Sequence, residues 1–91
     1  MESAYLIKIT GRVTGVGFRY STKHFVNQFA DIRGYVRNIS EGRVDVEIQG
    51  NSSHIEVILE WLKHGPTYAR VDSIKIIEIP VDPYKQYFRI T

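Results

Sequence analysis

The run Arg43-Val44-Asp45-Val46-Glu47-Ile48-Gln49 alternates polar and apolar residues without a break. Such alternation suits a strand with one face buried and the other open. Ser40-Glu41-Gly42 just before it has turn composition, and Tyr35-Val36-Arg37-Asn38-Ile39 reads as a further strand. A hairpin is therefore expected at the centre of the chain, and the flanking segments must cover its apolar face.

On the N-terminal side, Tyr5 to Thr10 reads as a strand with Tyr5, Ile7 and Ile9 on one face. Gly11, Gly15 and Gly17 then crowd the stretch up to Arg19, which predicts a tight loop in place of further strand. From Tyr20 to about Ile32, the residues Phe25, Phe29 and Ile32 follow a helical period, with Val26 and Ala30 beside them. After the hairpin, Ser53-His54-Ile55-Glu56 has the spacing of a capping box. It predicts a helix to about His64, with Ile55, Ile58, Leu59 and Leu62 in one stripe and Gly65-Pro66 as the stop. Val71 to Ile79 predicts a strand whose inward phase is open between Ile74 with Ile76 and Ile77 with Ile79. Pro80 and Pro83 bracket a loop before a short last strand at Tyr87 to Ile90. The order β-α-β-β-α-β plus a terminal strand describes an α+β, ferredoxin-like sandwich occupying residues 1–91 as one domain. Both helices are expected on one face of an antiparallel sheet, with the loop after the first strand at an edge where it can bind ligand.

Composition narrows the function classes. The chain has 91 residues, 43% of them hydrophobic and 24% charged, and no run long enough for a membrane span. Met1 to Tyr5 lacks the features of a secretory signal, so a cytoplasmic location is expected, and no large apolar surface is evident beyond what the core requires, so a monomer is expected. With no cysteine there is no disulfide, thiolate nucleophile or zinc-thiolate site. His24, His54 and His64 have no metal-ligand spacing and read as surface residues, so neither metal nor cofactor is expected. A net charge of +2 gives no broad polyanion surface, and Asp45 and Glu47 on the open sheet face would repel a nucleic-acid backbone. The stacking aromatics of an RNA-reading sheet are missing too, so no nucleic-acid partner is expected.

A small anion needs only a local site, and the glycine loop offers one. Glycines let successive amides converge on a phosphate, and a helix start adds the positive end of its dipole. Arg19 adds a planar cation that can hold two phosphate oxygens, at a helix start where an unpaired cation is otherwise unfavourable. The glycine spacing matches neither a dinucleotide loop nor a nucleoside-triphosphate loop. On its own the loop is open between an anion site and a plain turn. Phe18 and Tyr20 beside it are open between substrate contact and core or edge packing, with packing favoured.

The segment Ile9-Thr10-Gly11-Arg12-Val13-Thr14-Gly15-Val16-Gly17-Phe18-Arg19 closely resembles the first signature of the acylphosphatase family. The second signature follows in Gly34-Tyr35-Val36-Arg37-Asn38 with Gly42-Arg43-Val44 and Gly50 at the family spacing. Weaker echoes are Gly65-Pro66-Thr67-Tyr68-Ala69-Arg70-Val71 and the closing Phe88-Arg89-Ile90, so the resemblance spans essentially the whole chain.

The resemblance implies a metal-independent hydrolase that cleaves the carboxyl-phosphate bond of small acyl phosphates and releases inorganic phosphate. It implies a phosphate cradle of Thr14, Gly15, Val16, Gly17, Phe18 and Arg19, with Arg19 binding the phosphoryl group and Asn38 orienting water. Two positions depart from the family pattern. Thr14 stands where glutamine is usual, which keeps the amide but loses the longer side chain, and Thr67 replaces a common proline. Similar domains within larger hydrogenase-maturation proteins that handle carbamoyl phosphate are the alternative setting.

Overall fold

The computed structural model describes residues 1–91. The alternating segment becomes β3 (Arg43–Asn51), flanked on one side by β2 (Arg33–Ser40) and on the other by β1 (Glu2–Arg12), both antiparallel to it. β4 (Arg70–Glu78) pairs antiparallel with the outer side of β1. β5 (Phe88–Ile90) runs parallel to β2, so the sheet order is β4-β1-β3-β2-β5. The two helices are α1 (Phe18–Val26), between β1 and β2, and α2 (Ser52–Leu62), between β3 and β4. This is the ferredoxin-like α+β order with a parallel fifth strand at the edge.

Directly opposed residues of paired strands share a sheet face. Ile7, Val46 and Val36 form one such row, and Ile9, Val44 and Asn38 the next. All the aliphatic members of these rows are buried, against Phe18 and Val26 of α1 and Ile55, Ile58 and Leu62 of α2. Each such side chain stabilises the fold by roughly 1.5–3 kcal/mol on burial. That packing holds α1, whose nine residues would not stay helical alone. The register resolves the phase of β4: Ile76 opposes Ile7 and Ile74 opposes Ile9, while Ile77 opposes Leu6 on the other face.

The face away from the helices is not bare. The β4–β5 connection crosses it, and the Gln49 amide, only 1% exposed, donates to the Asp82 carbonyl and accepts from the Asp82 amide, both at 2.7 Å. Lys85 pairs with Glu47 at 2.8 Å and Arg43 with Asp45 at 3.4 Å. The acidic pair that alternation placed outside is thus neutralised locally.

Several boundaries differ from expectation, four of them instructively. β1 does not stop at Thr10 but continues to Arg12, through a register shift between Thr10 and Gly11. Gly11 makes this possible, because at φ 137° a side chain there would meet the Arg70 carbonyl oxygen at 2.1 Å. α1 begins at Phe18, not Tyr20, and ends at Val26, not Ile32. Beyond it the chain proceeds by short turns, with Phe29 N–H donating to Val26 and Ile32 N–H to Phe29. The apolar period persisted there because Phe29 and Ile32 still face the core, although the backbone has left the helix.

The cap of α2 is Asn51 and not Ser53. The Asn51 side chain accepts from the Ser53 amide at 2.9 Å, and the Ser53 hydroxyl donates to the same oxygen. His54 is also more than a surface residue. Its ring lies 4.8 Å from that of Phe29, and Nδ1 is 2.7 Å from Asp31. The other Asp31 oxygen accepts from the Asn51 amide at 2.8 Å. Partial burial alone would raise the Asp31 carboxyl, but these two bonds outweigh it and hold it below the usual carboxylate range.

Candidate active site

Where β1 ends, the β2–β3 turn is held from two sides. The Gly11 amide donates to the Gly42 carbonyl at 3.0 Å, and the Gly42 amide donates to the Thr14 hydroxyl at 3.2 Å. These bonds seat the loop between β1 and α1 beside the end of β2. Asn38 arrives there on the helix-covered face, because it shares a row with Ile9 and Val44.

The loop itself is curled by two left-handed residues, Gly15 at φ 70° and Gly17 at φ 76°. Nothing lies within 4 Å of where a side chain at either would begin, so the glycines serve the backbone angle and not a close approach. None of the amides from Thr14 to Gly17 donates to a backbone or side-chain acceptor. The earliest bond of α1 runs from the Ser21 amide to the Gly17 carbonyl, which leaves Phe18, Arg19 and Tyr20 as first-turn donors without helical partners. No side chain caps this end and no acid lies in the first turn. A continuous run of free N–H groups is concentrated at the positive end of the helix.

Arg19 sits half-buried in that first turn and makes no ion pair, whereas Arg33, Arg43, Arg70, Lys63 and Lys85 are each matched to a carboxylate. The helix dipole opposes a cation here, so an anion in front of it would relieve both Arg19 and the free amides. The space exists. A cavity of about 130 Å³ is lined by Val13, Gly15, Gly17, Phe18, Arg19, Tyr20 and Asn38, room for about four waters or a phosphoryl group with its nucleophile. The acylphosphatase family model matches residues 5–90.

The chain belongs to the acylphosphatase family. It is 43% identical over 74 residues to the acylphosphatase of Aliivibrio fischeri, covering 81% of each chain. The acylphosphatase structure from Bacillus subtilis superposes with a TM-score of 0.89 at 30% identity, over 100% of this chain and 99% of that one. The structure of T. kodakarensis HypF matches at a TM-score of 0.83 and 31% identity, over 98% of this chain but only 12% of HypF.

The acylphosphatase signature residues divide in their placement. Gly15, Gly17, Phe18, Arg19 and Asn38 line the cavity together. The Phe18 side chain is buried in the core, so it faces the cavity through its backbone. Val16 turns its side chain toward the core and can offer only its amide. Thr14 lies outside, in an adjoining mouth with Gly15, Asn38, Ile39, Ser40 and Glu41. Sequence reasoning missed the role of Gly42, whose amide and carbonyl fasten the loop; its place in the second signature was the available signal. Tyr20, for which packing is the favoured of two roles in the sequence, is instead 74% exposed at the cavity rim.

Proposed function

We propose that this chain hydrolyses acyl phosphates, releasing a carboxylate and inorganic phosphate, with Arg19 and the amides from Thr14 to Arg19 holding the phosphoryl group and Asn38 orienting the attacking water. The observation that carries this reading is the unbroken run of acceptor-free amides beside an unpaired arginine, in one cavity with Asn38.

The chemistry asks little more of the protein. The departing carboxylate is a weak base with a pKa near ~4, so it leaves without a strong general acid. Phosphoryl transfer to water passes through a loose state in which charge on the phosphoryl oxygens must be held and the nucleophile aligned. The new O–P bond forms from water as the bond to the acyl oxygen breaks, and the carboxylate departs with that electron pair. The Asn38 amide is not basic, so the water's proton passes to the phosphate. Fixed amides and a guanidinium are suited to this because they need no reorganisation as charge develops. The reading uses no metal ion and pictures a cytoplasmic monomer acting on small molecules.

Acetyl, carbamoyl and benzoyl phosphate, tested with Arg19→Ala and Asn38→Ala, examine the reading directly. Arg19→Ala should lose on the order of a hundredfold or more in kcat/KM, as for other lost anion-stabilising donors. Asn38→Ala should lower kcat while inhibition by inorganic phosphate changes little. A folded Arg19→Ala protein with full activity would remove that residue from the mechanism. Carbamoyl phosphate preferred far above the other two would place the chain in a HypF-like role.

A further inference from the structure

Tyr20 stands between two spaces. It lines the small cavity with Arg19 and Asn38, and it also borders a hollow of about 480 Å³ formed with Ser21, His24, Phe25, Trp61, Pro66 and Thr67. That volume falls within the range of small-molecule pockets. Its floor is aromatic: the Phe25 and Trp61 rings stack 4.8 Å apart at 12°, and Trp61 also leans on Phe18 behind the phosphate loop. The fold accounts for one side of these rings, which packs on the core, but not for the Tyr20 ring, which is 74% exposed.

Gly15 and Asn38, by contrast, are shared with the mouth that holds Ile39 and Glu41. In phosphoryl transfer the attacking and leaving oxygens lie roughly in line. With water at Asn38, the acyl group must therefore point away from Asn38, and of the two spaces adjoining the cavity only the hollow bordered by Tyr20 is not lined by Asn38. Charge agrees with this direction. The group departs as a carboxylate, which Glu41 on the Asn38 side would repel, whereas no acid lines the aromatic hollow.

We propose that the hollow of Tyr20, His24, Phe25, Trp61, Pro66 and Thr67 seats the acyl group, so that these residues set how far this chain discriminates between a flat aromatic acyl group and a small one. The inference rests on the hydrolase reading above and adds a seat for the acyl group and a direction of approach to it. Tyr20 and Thr67 are exposed, so substitutions there leave the core intact.

The test measures kcat/KM for benzoyl phosphate and acetyl phosphate in the unaltered protein, Tyr20→Ala, Thr67→Trp and, on the other side, Ile39→Ala. Tyr20→Ala should lower the benzoyl-to-acetyl ratio roughly three- to tenfold, the value of one aromatic contact. Thr67→Trp, which fills the hollow, should lower it further through KM, and Ile39→Ala should leave it unchanged. A ratio that stays constant in Tyr20→Ala and Thr67→Trp, or one that moves in Ile39→Ala instead, overturns the acyl seat while leaving the hydrolase reading standing. Hydrolysis of neither substrate by the unaltered protein overturns both.

Discussion

Gly17 and Gly11 both have positive φ, yet alanine at the two positions should fail for different reasons. At Gly17, φ 76° and ψ 19° are left-handed and no atom lies within 4 Å of the added carbon. Gly17→Ala therefore meets only the backbone penalty, about 1–2 kcal/mol. In a domain of this size that corresponds to a fall in Tm of roughly 4–16 °C. At Gly11 the new carbon would lie 2.1 Å from the Arg70 oxygen and 2.8 Å from the Asp72 nitrogen. Relief there requires β1 and β4 to part at the bulge. Overpacking of roughly 1–3 kcal/mol adds to roughly 1–3 kcal/mol for a backbone region nearly reserved for glycine. Urea denaturation of both variants, with Gly17→Asn as a partial rescue because asparagine tolerates left-handed angles, measures the difference. Inorganic phosphate titrated against Gly17→Ala below its unfolding range should bind more weakly, since the relaxed loop re-aims its amides. Equal losses for the two alanines, or no advantage of asparagine over alanine at position 17, would refute the assignment of Gly17 to conformation alone.

Thr14→Val removes the acceptor of the Gly42 amide; it should cost about 1 kcal/mol in unfolding experiments and lower kcat/KM by more than that loss of stability explains. Gln49→Leu leaves the Asp82 amide unpaired against a buried side chain and its carbonyl with only the Lys85 amide at 3.3 Å. A loss of roughly 1–3 kcal/mol is expected, with faster hydrogen exchange concentrated at the Asp82 amide. Because the Asp31 carboxyl is depressed in the folded protein, its charge stabilises the fold above the unfolded value and that contribution fades as pH falls through the folded one. The Tm gap between the parent and Asp31→Asn should therefore narrow from about pH 6 to about pH 3, set by a carboxylate reference near ~3.9; a gap that widens on acidification would contradict this.

The sheet was legible because alternation in β3 and the isoleucines of β1 report burial on one face directly. Asn38 and Arg19 were legible as residues of a recognised pattern, but their meeting depends on a cross-strand row that no local spacing reveals. Boundaries failed where two signals competed. Ser53 with Glu56 matched a capping box, yet Asn51 two residues earlier takes the Ser53 amide, because its carboxamide reaches that donor from the end of β3. Phe29 and Ile32 keep a helical period while bonding in short turns, since the period records which side chains meet the core and not which carbonyl each amide finds. Between the two roles open to Tyr20 the sequence favours packing, yet aromatic character signals packing only when a partner surface lies opposite it, and here the ring opens onto solvent.

The parallel pairing of β5 with β2 has a practical bearing on how this protein can be handled. Ile90 lies opposite Val36, and the Thr91 amide donates to the Val36 carbonyl at 3.0 Å. Residues appended after Thr91 would follow the same track along the sheet edge and come level with Asn38 almost at once. Met1, by contrast, sits at the other end of the sheet, where its carbonyl accepts from the Ser52 amide. A purification tag, fluorophore or surface linker belongs on the Met1 side, and the same fusion at Thr91 would lie within reach of the cavity mouth.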